Sequence, residues 1–169
     1  MEAAATVDAV GEYEAFYRRE QPQMVALALA LTGVREVAHD LAQETMLKAY
    51  VAWPSLREMD RPGAWARRVT INSVTSWHRR RGREQRAIAR MRPGATEQPE
   101  TEGQRFWAAV RGLPERERAV VALFYLDDQS VASVAEALAV PAGTVKSTLS
   151  SARARLAAAL GARDGSVER

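Results

Sequence analysis

The apolar residues of this chain recur at helical spacing along most of its length, and this periodicity constrains the fold more than any other feature. The pattern fails only once at length, from about Ala87 to Gly103. Apolar residues at this spacing predict amphipathic α-helices, and no stretch has the alternation of a half-buried strand. The interruption carries Arg-Pro-Gly and an acidic run, which indicates a flexible linker. The sequence therefore predicts an all-α fold of two small helical bundles joined by a flexible linker.

The domain boundaries follow from this interruption and from the breaks on either side of it. We expect the first bundle at residues 12–87, the linker at 88–103 and the second bundle at 104–161, with disordered ends at 1–11 and 162–169. A hairpin of two helices, broken at Gly33 and ended by the residue before Pro54, opens the first bundle. A third helix is expected from about Pro62 or Ala64 to Arg86. The helices expected in the second bundle are Arg105–Arg111, Glu115–Tyr125, Val131–Leu138 and Gly143–Leu160.

The composition excludes several kinds of chemistry. There is no cysteine, which excludes disulfides, thiolate metal sites and a cysteine nucleophile. No signal-like segment and no membrane-length apolar run occur, so we expect a cytoplasmic protein without membrane insertion. His39, Asp40 and Glu44 hint at a metal site, but the other histidine, His78, stands among arginines that would repel a cation. The sequence also has no phosphate-binding loop and no nucleophile motif. We therefore expect that the protein is not an enzyme and that it uses no metal and no cofactor.

A strongly basic segment lies at the end of the first bundle. Between positions 61 and 92 there is one acidic residue, Glu84, and ten arginines, at 61, 67, 68, 79, 80, 81, 83, 86, 90 and 92. Positive charge at this density indicates a phosphate-binding surface. Asn72 and Trp77 share the helix and could bond to or stack on an unpaired base. The alternative is a solvated basic helix end with Trp65 and Trp77 as core anchors. This alternative is the better one for Trp65, is no better and no worse than base stacking for Trp77, and explains the arginines poorly.

The last two predicted helices have the spacing of a helix-turn-helix. Ser130 can cap Val131–Leu138, a three-residue connection follows, and the next helix has a buried apolar stripe. The residues left exposed on that next helix are Thr144, Lys146, Ser147, Ser150 and Arg153. Thr144 lies near its N-terminus, where backbone amides and the helix dipole favour phosphate. The alternative is an ordinary pair of amphipathic helices, as any helical bundle contains. The turn between these two helices has Ala139 at the position where a helix-turn-helix usually has glycine.

Four motifs, in order along the chain, carry a resemblance to a known family. They are Asp40-Leu41-Ala42-Gln43-Glu44-Thr45, Arg61-Pro62-Gly63-Ala64-Trp65-Ala66-Arg67-Arg68-Val69-Thr70-Ile71-Asn72, Leu113-Pro114-Glu115-Arg116-Glu117-Arg118 and Gly143-Thr144-Val145-Lys146-Ser147. Each motif alone is weak. Together they make the chain resemble a bacterial extracytoplasmic function (ECF) sigma factor of the sigma-70 family over about Tyr13–Leu160. By this resemblance the first bundle is region 2 and the second is region 4, without the domain that separates them in larger sigma factors.

The resemblance implies a subunit that binds core RNA polymerase, through the β′ clamp helices and the β flap, and directs it to promoter DNA. Such a subunit recognises the −35 and −10 elements and promotes DNA melting for transcription initiation, and an anti-sigma factor is a further candidate partner. Two alternatives stand beside it. A stand-alone helix-turn-helix transcriptional regulator would bind promoters without polymerase, usually as a dimer on a two-fold site. A hydrolase of nucleotides or nucleic acids would need a metal cluster that the sequence lacks.

The resemblance also implies roles for individual residues. Polymerase binding falls to Asp40, Gln43, Glu44 and Met46. Binding of −10 DNA falls to Arg57, Arg61, Arg68, Asn72, Ser76, Trp77, Arg79, Arg80 and Arg81, with the loop Ser55–Gly63 as the wall of a pocket for a flipped base and Asn72 beside that pocket. Binding of −35 DNA falls to Thr144, Lys146, Ser147, Ser150, Ser151 and Arg153. The chain departs from the family pattern at Thr70, where alanine is usual, and at Ser151, where arginine is common.

Overall fold

The computed structural model describes residues 2–88 and 101–164, which form seven α-helices and no strand. The helices are α1 (Glu2–Thr32), α2 (Arg35–Leu56), α3 (Pro62–Ile88), α4 (Glu102–Arg111), α5 (Glu115–Tyr125), α6 (Val131–Leu138) and α7 (Ala142–Asp164). Helices α1–α3 make the first bundle and α4–α7 make the second. The all-α fold expected from the hydrophobic periodicity is confirmed.

The chain ends differ from the sequence expectation. Helix α1 begins at Glu2, where disorder was expected over residues 1–11. The segment contains three consecutive alanines, and alanine has the highest helix propensity of any residue, so the helix extends through it. Helix α7 likewise continues to Asp164, into the segment 162–169 that was expected to be disordered. Residues 165–169 lie outside the described part of the chain.

The expected linker at residues 88–103 overlaps the helices on either side of it. Ile88 is the last residue of α3, and Thr101 is the N-cap of α4. The Thr101 hydroxyl accepts a hydrogen bond from the Gln104 backbone amide, and the Gln104 side chain accepts one from the Thr101 amide, which forms a capping box. The residues between these two helices, 89–100, lie outside the described ranges.

Helix α2 does not end before Pro54, contrary to the sequence expectation, but continues to Leu56. Proline removes one backbone donor from a helix, and here the loss falls in the last turn. The turn still closes, since the Arg57 amide donates to the Trp53 carbonyl at 2.9 Å. Leu56 is buried in the core, and burial of its side chain offsets the lost hydrogen bond.

Each bundle has an apolar core of its own. In the first bundle the cluster consists of Phe16, Met24, Ala42, Met46, Ala49, Trp53, Leu56 and Ala66. In the second it consists of Val110, Leu113, Val121, Ala152 and Leu156. Because these two clusters share no residue, each bundle keeps packed side chains that do not depend on the other.

A third apolar cluster joins the two bundles. Its first-bundle members are Leu27, Ala28, Leu31, Ala38, Ile71 and Val74, and its second-bundle members are Ala119, Val120, Ala122, Leu123, Val134, Ala137, Val145 and Leu149. Across this boundary α1 packs against α4 and α5, and α3 packs against α6. The bundles are therefore not two separate bodies in this structure but share a buried apolar boundary.

The helix-turn-helix lies in α6 and α7, with α6 at the bounds expected from the sequence. The Ser130 hydroxyl caps α6 by accepting from the Ser133 amide at 3.1 Å. The turn residue Ala139 has φ 53° and ψ 47°, in the left-handed region that favours glycine. An alanine there is strained by about 1–2 kcal/mol because its Cβ approaches the neighbouring carbonyl oxygen.

Replacing Ala139 with glycine should stabilise the protein. Relief of the left-handed strain outweighs the extra freedom that glycine gives the unfolded chain, about 0.4–1 kcal/mol, so the melting temperature should rise by about 2 °C. A thermal unfolding curve measures this. The matched control is Ala132→Gly on the exposed side of α6, which should lower the melting temperature because glycine weakens a helix interior. Equal losses in both variants would contradict the argument.

Candidate nucleic-acid and polymerase interfaces

One face of α2 combines polar and apolar side chains that are open to solvent. Asp40, Gln43 and Glu44 are all exposed. Leu47 is 67% exposed and Val51 is 81% exposed, and both continue the same face because they follow Asp40 by seven and eleven positions. The sequence reading missed these two residues. Their signal was present in the spacing, since neither belongs to the apolar stripe that α2 buries.

Met46 does not lie on this face, and here the role implied by the resemblance needs correction. Its side chain is 1% exposed and packs in the first-bundle core, so it cannot contact a partner directly. Its backbone carbonyl accepts a hydrogen bond from the Tyr13 hydroxyl at 2.8 Å, which ties α2 to α1. The pKa of Tyr13 is raised, first by burial and then by the neighbouring Tyr17 and Tyr50, so the hydroxyl keeps its proton for this bond.

A shallow surface pocket of about 350 Å³ lies beside the loop that joins α2 to α3. Arg57, Glu58 and Pro62 line it from the loop side, and Phe16 and Trp53 are among its other lining residues. The Trp53 indole nitrogen is buried and has no hydrogen-bond partner in the described residues. Arg57 is held by Glu12 across the pocket, with an N–O distance of 3.1 Å. Asn72 is not a lining residue, so the structure does not bring it into this pocket.

The residues assigned to −10 DNA on α3 and just before it differ in their exposure and in their partners. Asn72, Ser76 and Arg80 are exposed, and within the described residues their side chains make no hydrogen bond. Trp77 is half-buried, and the Arg81 guanidinium lies over its ring at 5.3 Å from the centroid. Arg68 is half-buried. Arg61, which directly precedes α3, pairs with Glu136 of the second bundle at 2.6 Å, and Arg79 pairs with Glu115 at 3.1 Å.

Arg67, a residue of the basic segment to which no site role was assigned, lies mostly covered between the bundles, with its side chain 11% exposed. It pairs with Asp127 of the second bundle and with Glu20 of α1, and its Nη2 donates to Gln23 at 2.6 Å. Burial acts to lower the pKa of Arg67, but the hydrogen bond and charge of Asp127, followed by those of Glu20, outweigh it and raise the pKa. The guanidinium is therefore a fixed positive charge with all its partners inside the protein.

Thr70 and His78 both serve the packing of α3. The Thr70 hydroxyl is buried and lies 3.1 Å from that of Thr45 and 3.0 Å from the Ala66 carbonyl, which explains how a hydroxyl fits where alanine is usual. The His78 Nε2–H donates to the Leu31 carbonyl at 2.9 Å. Burial lowers the pKa of His78, and nearby arginines lower it further, whereas the hydrogen bond to Leu31 acts to raise it.

The described residues contain no group of three or more His, Cys, Asp or Glu that could bind a metal.

Helix α7 exposes most of the side chains assigned to −35 DNA. Lys146, Ser147, Ser150 and Ser151 are exposed, and Thr144 is half-buried at the first turn. The Ser147 hydroxyl donates to the Thr144 carbonyl at 3.0 Å. Arg153 is turned toward α5, where it donates to the Tyr125 hydroxyl at 2.8 Å and lies over the rings of Phe124 and Tyr125. The N-terminal part of this face is therefore accessible to solvent, while the Arg153 side chain is held against α5 of its own bundle.

These features define a class: a two-domain helical protein with an exposed basic face on α3 and a helix-turn-helix in α6 and α7. Comparison with known proteins agrees with it. Residues 16–84 match the model of Sigma-70 region 2, and residues 103–156 match that of Sigma-70, region 4. No helix in the described ranges has the length and apolar character needed to cross a membrane.

Individual relatives cover nearly the whole chain. The RNA polymerase sigma-E factor of Streptomyces coelicolor is 33% identical over 157 residues, which are 90% of this chain and 88% of the relative. The ECF RNA polymerase sigma factor SigM of Mycobacterium tuberculosis is 34% identical over 152 residues, 88% of this chain and 77% of the relative. A solved structure of the sigma factor RpoE from Bartonella quintana, in complex with the anti-sigma factor NepR, matches 94% of this chain and 99% of its own, with 26% identity and a TM-score of 0.72.

The chain belongs to the ECF sigma factors of the sigma-70 family. The first bundle is its region 2 domain and the second is its region 4 domain. Its function is promoter recognition and transcription initiation together with core RNA polymerase. The alternative of a stand-alone helix-turn-helix regulator is not favoured, because the match includes region 2 as well as region 4.

Proposed function

We propose that this sigma factor divides its work among three surfaces. The exposed face of α2 binds the β′ clamp helices of core RNA polymerase, α3 with the preceding loop binds the −10 element, and α7 binds the −35 element. The supporting observation is that the three faces lie on three different helices, each exposed while the opposite side of its helix is buried. Partner binding on these faces therefore need not disturb the core.

The α2 face has the composition of a specific protein interface. Leu47 and Val51 supply apolar area, while Asp40, Gln43 and Glu44 supply the polar side that suits a basic partner. Glu44 is paired with Lys48 at 2.6 Å. Because both side chains are exposed, Glu44 can leave Lys48 for a partner's cation at little cost in free energy. We propose these five side chains as the main contacts to the clamp helices, and we assign binding of the β flap to the region 4 domain.

Melting of the −10 element is assigned to Asn72 and the arginines of α3, together with the loop pocket. Exposed Asn72 and Ser76 offer hydrogen bonds to unstacked bases, and exposed Arg80 offers a phosphate contact. The pocket beside Arg57 has an aromatic lining from Phe16 and Trp53, which suits a flipped base. Capture of such a base offsets the few kcal/mol that unstacking costs.

The −35 element is assigned to the open half of α7. Lys146 is the cation closest to its N-terminus and is exposed, whereas Arg153 is engaged by Tyr125. Ser147, Ser150 and Ser151 are short donors and acceptors that can approach base edges in the major groove. Where many family members have an arginine that can contact a phosphate, this chain has Ser151. Lys146 therefore supplies more of the electrostatic attraction between this part of α7 and DNA.

Phosphate contacts and base contacts should separate in mutants. Arg80→Ala should weaken binding of the polymerase holoenzyme to all promoters alike, and should lower the slope of log affinity against log salt by about one unit for the lost phosphate contact. Ser147→Ala and Ser150→Ala should instead change which −35 bases are tolerated. Affinity measured on a library of −35 sequences at several salt concentrations tests both. A change of base preference on loss of Arg80 would reverse the assignment.

Run-off transcription tests the proposal as a whole. Core RNA polymerase with this chain should produce transcripts from a subset of a genomic promoter library, and neither component should do so alone. Binding of the chain by itself to the same promoters as a two-fold dimer, without polymerase, would support a stand-alone regulator instead.

We further propose that the protein works in the cytoplasm, where a bacterial chromosome and its polymerase lie, and that an anti-sigma factor is among its partners. Support for the partner is the likeness to RpoE of Bartonella quintana, which was solved in complex with the anti-sigma factor NepR and matches 94% of this chain. Co-purification with the products of neighbouring genes tests this partner.

A further inference from the structure

Arg153 of α7 is exposed, yet its side chain is held in one orientation by three contacts. Its Nε donates to the Tyr125 hydroxyl at 2.8 Å, and its guanidinium lies 5.9 Å from the ring centroids of both Phe124 and Tyr125. The Tyr125 ring is itself packed edge-on against Phe106 of α4, with 6.2 Å between ring centroids, and against Phe124, with 5.1 Å. Arg153 is therefore fixed on a rigid aromatic surface.

These contacts are all with uncharged groups, so they do not neutralise the positive charge of Arg153. No carboxylate lies within ion-pair distance of it among the described residues. Arg155, two positions further along α7, differs in this respect, because its Nε lies 3.2 Å from the Oε1 of Glu117 on α5. That ion pair already fastens α7 to α5. The uncharged partners of Arg153 instead orient a cation whose charge remains available to an anion.

The part of the Arg153 guanidinium that remains free is suited to an oxoanion. Only its Nε is bonded to Tyr125, and its Nη1 and Nη2 have no hydrogen-bond partner in the part of the chain that the structure describes. Arginine binds phosphate and carboxylate through two parallel N–H groups. The contact with Tyr125 therefore fixes the direction of the side chain and leaves both terminal amino groups for a ligand.

Arg153 continues a row of α7 side chains that includes residues assigned to −35 DNA. Lys146, Ser150 and Arg153 are exposed and spaced by four and three positions, so they lie along one side of the helix. At 1.5 Å per residue, Arg153 lies about 10 Å beyond Lys146 along the helix axis. In a helix-turn-helix the N-terminal residues of the second helix contact base edges. A cation this much further along is placed for a backbone phosphate rather than for a base edge.

We propose that Tyr125 is a positioning residue that holds Arg153 as a ligand for a DNA phosphate at the border of the −35 element. This inference rests on the proposed binding of the −35 element by α7, and it adds a backbone contact beyond the open half of that helix. A side chain that is oriented in advance loses less conformational entropy when DNA binds. Loss of the tyrosine hydroxyl should therefore weaken binding although the arginine and its charge remain.

The test measures binding of the holoenzyme, made from core polymerase and the full-length chain, to a labelled promoter duplex at several salt concentrations. Arg153→Ala should weaken binding about tenfold, as expected for a charge-assisted hydrogen bond. It should also lower the slope of log affinity against log salt by about one unit. Tyr125→Phe keeps the ring and the arginine, so it should weaken binding about threefold with an unchanged slope. The double variant should be no weaker than Arg153→Ala, because the hydroxyl acts through the arginine.

Matched controls remove the same groups elsewhere. Arg105→Ala removes an exposed arginine of α4 that has no ion pair in the described residues, and Tyr17→Phe removes the hydroxyl of an exposed tyrosine on α1. Both should leave affinity and salt slope nearly unchanged. Methylphosphonate, placed at one DNA position at a time, removes the charge of a single phosphate. At one position bordering the −35 element it should weaken wild-type binding about tenfold and leave Arg153→Ala binding unaffected.

Three further results would decide against the inference. Lower melting temperatures of Arg153→Ala and Tyr125→Phe at an unchanged salt slope would mean that the pair only fastens α7 to α5. Weaker assembly of Arg153→Ala with core polymerase in the absence of DNA would mean that the cation serves a protein partner. If Lys146→Ala weakens promoter binding and Arg153→Ala does not, this inference alone fails. If neither does, α7 does not bind DNA, and the proposed function fails as well.

Discussion

Replacing Asp40 and Gln43 together with alanine should reduce binding to core RNA polymerase by at least about 100-fold. Both side chains are exposed on α2 and belong to none of the apolar clusters, so their loss should leave the helical content and the melting temperature nearly unchanged. Central interface residues often contribute about 2 kcal/mol or more each when truncated, and a factor of 100 needs only about 2.7 kcal/mol in total. Co-purification and a binding titration with core enzyme measure the effect.

A charge-matched control keeps this prediction specific. Glu14→Ala removes an exposed carboxylate from α1, whose only ion pair among the described residues is with Arg18 on the same helix, and should leave polymerase binding intact. Leu47→Ala should weaken binding as well, because its largely exposed side chain continues the same face. If the Asp40 and Gln43 variant lost fold and binding in equal measure, the face would be structural and the assignment to polymerase wrong.

Asn72→Ala should impair promoter opening about 10- to 100-fold while sparing polymerase docking and closed-complex formation. The side chain acts only on an unstacked base, and a good hydrogen-bonded contact to a base contributes about 1–3 kcal/mol. Because Asn72 is exposed and makes no hydrogen bond in the described structure, its removal should not lower the melting temperature. Permanganate footprinting of the −10 region measures the open complex.

A template already mismatched across the −10 region separates the two possible roles of Asn72. Unpairing costs nothing on this template, so a variant that fails to stabilise the open strand should recover much of its activity. A purely structural role would instead lower thermal stability and leave the mismatched template just as inactive. The melting curve and the two footprints together decide between these outcomes.

Most of the fold could be predicted from the sequence because the helices follow from patterns among residues that are close together in the chain. Apolar spacing and the breaks at Gly33 and Pro114 fixed the number of helices, and the bounds of α5 and α6 agree with those expected. The errors lie where a local rule competes with a wider effect. Pro54 was expected to end α2, yet burial of Leu56 carries the helix past it.

The site was predictable to a smaller extent, for a different reason. A motif marks which residues matter but does not reveal which atoms face solvent, and so Met46 was grouped with an exposed face although its side chain is in the core. The partners of Arg67 are Glu20, 47 positions earlier, and Asp127, 60 positions later. No local spacing relates such distant residues, and only the packing of the two bundles brings them together.

The shared apolar cluster also bears on how the protein can be divided. A chain cut between α3 and α4 would retain two intact cores, but Leu31 and Val74 on one fragment and Leu123 and Val134 on the other would face water. Contiguous apolar surface of this kind promotes self-association. Each isolated fragment should therefore be less soluble than the whole chain. Mixing the two fragments should restore solubility, because each fragment covers the exposed apolar surface of the other.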